Sequence, residues 1–127
     1  MLGLFKSKQP SSNAKLFRLT LHVLRGSNTE MPQNLVGAHV PVFVAAADHE
    51  AAAFAAVSKL TSQGFEFVDI SDGKIHELDP RMWDAFVKKA WADFEQYFPK
   101  QSQVISELDS GFSFVGPFAS YEASKNA

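Results

Sequence analysis

Cysteine is absent from this chain. Disulfides and thiolate metal ligation are therefore excluded, and nothing in the composition argues for an oxidising compartment. There is no run of about 18 apolar residues for a membrane span, and the opening MLGLFKSKQPSSNAK lacks the apolar stretch of a secretory signal. The expectation is a soluble cytoplasmic protein. Phosphate cradles are missing too: neither GxxxxGK before Ser or Thr nor GxGxxG after a strand occurs. Acidic residues are missing from the first 29 positions, where Lys6, Lys8, Lys15, Arg18 and Arg25 give +5.

What is present fits one ordinary domain. The 127 residues are 46% hydrophobic and 20% charged, enough to bury a real core, and twelve Phe with two Trp predict that it is aromatic. From Glu30 onward, seven basic groups face fourteen acidic ones, a balance of -7. An acidic body of this kind favours a basic partner and repels nucleic acid.

Residues 1–13 mix Lys, Ser, Gln and Pro and read as a flexible basic arm before a domain over 14–122, with 123–127 as a tail. In KLFRLTLHVLR, Phe17, Leu19, Leu21 and Val23 alternate with Arg18, Thr20 and His22, the pattern of a half-buried strand. HVPVFVAAA is apolar on both faces and reads as an inner strand. Asp48 then caps a helix whose apolar stripe is Ala53, Phe54, Val57 and Leu60, with Gly64 as its stop. FEFVDI is expected to run parallel to residues 40–46, and Asp72-Gly73 to turn it into the return strand KIHEL. Asp79-Pro80 opens one long helix to Phe98, striped by Trp83, Phe86, Val87, Ala90, Trp91, Phe94 and Phe98. Asp84/Lys88 and Lys89/Asp93 stand at ion-pair spacing on its other side. Ser102 caps a short helix stopped at Gly111, FSFVGPF is the last strand, and Tyr121 and Glu122 fall on an exit loop. The order β-β-α-β-β-α-α-β describes an α+β domain, a mixed sheet with its helices mainly on one face.

Motifs for chemistry are few. Asp48-His49-Glu50 resembles a ligand cluster, but no His follows four residues after His49, and a helix start accounts for both acids. Gly111, Ser113 and Gly116 have the wrong spacing for a nucleophile elbow. His22, His39, His49 and His76 are scattered, and His76 and Glu77 point to opposite faces of a strand. No catalytic residue, cofactor site or metal site is therefore assigned. The acids are the better lead. Asp72 and Asp79 are occupied by turn and cap, which leaves Glu66, Asp69, Glu77 and Asp84 as a partner-binding edge. Tyr121 and Glu122 join them as loop residues.

Residues 38–122, from AHVPVFVAAADHEAAAFAAVSKLTSQGFEFVDI through LDPRMWDAFVKKAWADF to FVGPFASYE, resemble the small bacterial immunity proteins of contact-dependent and polymorphic toxin systems. The resemblance implies a cytoplasmic antitoxin that binds one cognate toxin domain stoichiometrically, without catalysis, as a monomer or homodimer. It transfers no catalytic residue. The alternative is a small α+β enzyme or small-molecule-binding domain, expected as a dimer, with an aromatic-lined pocket and His22 or His76. A plain assembly scaffold is the third reading.

Overall fold

The computed structural model describes residues 14–123. The arm expected over 1–13 and all of the tail but Ala123 lie outside them. Two long strands, β1 (Lys15–Leu24) and β2 (Leu35–Ala46), pair antiparallel along their whole length, from Lys15 opposite Ala46 to Leu24 opposite Gly37. Helix α1 (His49–Thr61) follows, then β3 (Glu66–Ile70) and β4 (His76–Leu78). Helices α2 (Trp83–Ala90) and α3 (Gln101–Glu107) come next, and β5 (Ser113–Val115) and β6 (Ala119–Glu122) close the domain. The domain is α+β.

Each outer edge of the sheet is one strand broken in two. β3 and β4 both pair antiparallel with β1, while β5 and β6 both pair antiparallel with β2. The sheet is therefore antiparallel throughout, not mixed. β3 does run in the same direction as β2, as expected, but β1 lies between them. Asp72-Gly73 does not build a hairpin either: β3 and β4 continue in one direction along β1, and the turn only bulges the chain out between them, with Gly73 at φ +69°. The other break has its cause in Pro41. Its carbonyl accepts from Gly116 N at 2.8 Å, so its nitrogen faces the same edge and offers no donor there. The ladder parts at Gly116–Phe118 and resumes shifted by one residue. Ala119–Glu122 is consequently a strand rather than an exit loop.

The alternation in β1 and β2 separates two cores. On one face Phe17, Leu19, Leu21 and Val23 meet Val40, Val42 and Val44 under α1. That helix buries Ala52, Ala56 and Leu60, and Phe54, expected in the stripe, is 76% exposed. Small alanines let the helix axis approach the sheet closely, which turns the bulkier Phe54 outward. Asp48 caps it as expected, its carboxylate accepting from Ala51 N at 2.8 Å, a contribution of about 1 kcal/mol. On the opposite face Leu16 and Phe43 are covered by Trp83, Val87, Phe98, Val104 and Phe112. Helices thus lie on both faces, a correction that follows from the two-sided apolar pattern of β2 itself.

The long helix expected over 80–98 is three pieces: a 3-10 turn at Pro80–Met82, α2, and 3-10 turns over Ala92–Tyr97. Trp91 breaks it with φ -132° and ψ 39°. The bend lets Phe98 fold back to within 5.9 Å of Phe43 and 6.1 Å of Trp83, contacts a straight helix would carry away from the sheet. Aromatic burial outweighs helix propensity here. Ser102 is not a cap but lies inside α3, whose first turn is served by Asp84: Gln101 N donates to Asp84 Oδ1 at 2.9 Å, and Asp84 N donates to Gln101 Oε1 at 3.0 Å.

Candidate functional site

The second core covers only half of its sheet face. Beyond Phe43, toward the β1–β2 loop, the same face carries polar side chains. Residues directly opposite in an antiparallel ladder share a face. Asp69, His22, His39 and Ala119 form one row across β3, β1, β2 and β6, and Glu66, Leu24, Gly37 and Tyr121 form the next. A bulge between His22 and Val23 keeps both Asp69 and Glu66 on this face.

These side chains are connected. The His22 and His39 rings stack with centroids 4.6 Å apart and planes inclined by 16°. His22 Nε2 meets the Tyr121 hydroxyl at 2.5 Å, and His22 Nδ1 lies 3.9 Å from Asp69 Oδ1. The first is a hydrogen bond; the second is too long for one and becomes an ion pair only when His22 is protonated. His39 Nδ1 meets Ser71 Oγ at 2.8 Å. The Tyr121 ring reaches His22 by lying across Gly37, where a Cβ would stand 2.4 Å from its hydroxyl. Two stacked imidazoles and a phenol tilted against them by 49° and 38° thereby form one polar-aromatic cluster. Two rows from the histidines toward the helices, Arg18 Nε is the buried side-chain nitrogen that has no hydrogen-bond partner among the described residues.

The sequence-derived binding residues divide. Glu66, Asp69 and Tyr121 come together on this face, although two were assigned to an acidic hairpin and one to a loop. Glu77 does not join them: opposite Phe17, it belongs to the α1 side of the edge. Asp84 is engaged in the reciprocal α2–α3 cap, and the Glu122 carboxylate accepts from Asn34 Nδ2 at 2.9 Å. Among the described residues neither expected helix ion pair forms; the pairs present are His22–Asp69, His76–Asp72 and Arg81–Asp79. His39 was missed as a member of the group. Its position directly opposite His22 follows once the two strands are taken as a hairpin.

Asp72 shows the local electrostatics of the edge. Its hydrogen bond with His76, at 3.1 Å, is the main reason its carboxyl lies below the ordinary aspartate value, and the Lys74 N–H assists. A carboxyl depressed in the folded state adds stability above the unfolded value, and that stability is lost as pH falls through the folded one. Replacing His76 by Ala is expected to return the Asp72 titration toward 3.8, read by carbon-13 NMR of the carboxyl. An unmoved midpoint would remove His76 as the cause. Asp79 is depressed likewise, by its hydrogen bond with Arg81.

Among the described residues, no helix is long and apolar enough to cross a membrane, and no cluster of three His or carboxylate side chains is placed to hold a metal ion. No family model, curated protein or solved structure matches the chain.

Proposed function

We propose that this protein is a cytoplasmic immunity protein, a non-enzymatic antitoxin that neutralises a cognate bacterial toxin domain by stoichiometric association through the open half of the sheet. The observation that carries the reading is the joining of Glu66, Asp69 and Tyr121 with His22 and His39 on one sheet face. Five clefts are lined by other residues, and His22, His39, Asp69 and Tyr121 line none of these five. A sheet face presenting a tyrosine amid carboxylates suits a protein contact. The acids supply steering toward a basic partner, and the phenol supplies contact area at low entropic cost.

The reading requires a toxin-domain gene beside this one, and the test is a titration against its product. Tyr121→Ala and Asp69→Lys are each expected to weaken binding by about tenfold or more, with circular dichroism unchanged. Asp69→Lys should also flatten the salt dependence. Two folded variants with wild-type affinity and salt dependence would exclude this face. A second reading, acid–base chemistry, is favoured by the Asp69–His22–Tyr121 series; it requires turnover lost in His22→Ala, a result that stoichiometric binding does not produce.

A further inference from the structure

A separate cleft of about 360 Å³ opens where the β1–β2 loop, the end of α1 and the start of β6 meet. One side of it is apolar, with Met31, Leu35, Phe65 and Phe118 and the two phenylalanine rings 5.5 Å apart, and Asn28, Gln63 and Ser120 make the rest polar. Met31 and Phe65 are each 7% exposed, while Phe118 is 38% exposed and faces the opening. Glu30 is the lining residue that carries a charge. Size and composition match the lower end of small-molecule sites, roughly 300–1,000 Å³, which combine apolar walls with a few polar groups.

The cleft is built in advance of any ligand. The Arg25 guanidinium donates to three carbonyls of its wall, those of Met31, Pro32 and Leu35. Asn28 Oδ1 accepts from the N–H groups of Glu30 and Met31 at 3.0 and 2.9 Å, and Asn28 Nδ2 donates to Gln63 O at 2.7 Å. At Gly26 a Cβ would lie 2.3 Å from Gly64 O, so the loop and the end of α1 touch backbone to backbone. A wall fixed in this way needs little ordering when a ligand enters.

We propose that this cleft binds a small aromatic primary ammonium, its ring between Phe65, Phe118 and Met31 and its charged end toward Glu30. The apolar side favours a ring over a fully hydrated ligand, and the negative charge of Glu30 disfavours an anion. The cleft shares no residue with the His22–Tyr121 face, since Ser120 points to the other side of β6 from Ala119 and Tyr121, and it stands or falls independently of the toxin reading.

Nitrogen-15 NMR of the full chain tests it with three probes of similar shape: 2-phenylethylamine, 2-phenylethanol and 3-phenylpropionate. The amine is expected to give saturable shifts confined to amides near residues 28–35, 63–65 and 118–120. The alcohol should bind roughly threefold more weakly, the scale of one exposed charge pair, and the carboxylate more weakly still. Glu30→Gln should abolish the preference for the amine over the alcohol, and Phe118→Ala should weaken both. Absence of saturable shifts, equal binding of all three probes, or a preference surviving in Glu30→Gln overturns the proposal.

Discussion

Trp83→Ala is expected to lower the unfolding free energy by about 3–5 kcal/mol, a large share of the roughly 5–15 kcal/mol typical of a domain. Trp83 is 1% exposed and lies at the centre of the second core. Its ring meets Phe43 edge-on at 5.2 Å and has Phe86, Phe98 and Phe112 about it at 6.0, 6.1 and 6.1 Å. Its indole N–H donates to Pro99 O at 2.8 Å, fixing the chain that returns from the Trp91 bend. Alanine leaves a cavity among four aromatic rings and an unpaired carbonyl. Trp83→Phe keeps most of the volume and loses the hydrogen bond, so it should cost about 1–3 kcal/mol. Urea unfolding followed by circular dichroism separates the two. A loss below about 1 kcal/mol for Trp83→Ala would show that the α2–α3 layer is not part of the cooperative unit.

The two long strands and α1 were legible because each rests on a local rule. Alternation in 17–23 placed Phe17, Leu19, Leu21 and Val23 correctly, and Asp48 marked the helix start through its own hydrogen bond. Failures occurred where a distant contact decides. The break at Trp91 exists because Phe98 has a place beside Phe43, and no residue near 91 announces that. Asp84 looked like a free acid because its partner, Gln101, lies 17 positions away in another helix. The edge breaks were half legible: the turn at Asp72-Gly73 was read, though it bulges one edge rather than reversing it, and the break at Gly116–Phe118 answers to Pro41, across the sheet.

The candidate site follows the same division. His22 and His39 flank a loop symmetrically, so a simple hairpin register puts them opposite one another, and alternation puts both on the face away from α1. Asp69 and Tyr121 could not be joined to them from sequence. Their positions depend on a bulge beside His22 and on the one-residue shift beyond Pro41, without which Tyr121 would fall on the other face.

Gly37→Ala tests that arrangement most directly and is expected to cost about 2–3 kcal/mol, the upper part of the range for overpacking. The new methyl group would stand 2.4 Å from the Tyr121 hydroxyl, 2.6 Å from its Cζ and 2.8 Å from Val23 O. The phenol can give way only by leaving Gly37, which separates it from His22; the backbone carbonyl can move only by distorting the β1–β2 ladder. Both responses affect the proposed contact surface. Combination with Tyr121→Ala removes two of the three collisions, so the double variant should be more stable than the sum of the single losses implies, by roughly 0.5–3 kcal/mol. Additive losses would mean that strain arises at Val23 O alone and that the Tyr121 ring does not rest on Gly37. In the folded Gly37→Ala variant, toxin binding should fall as far as in Tyr121→Ala, because both lose the phenol from the platform. Wild-type binding by Gly37→Ala would separate the platform from the contact and leave Glu66 and Asp69 to carry it.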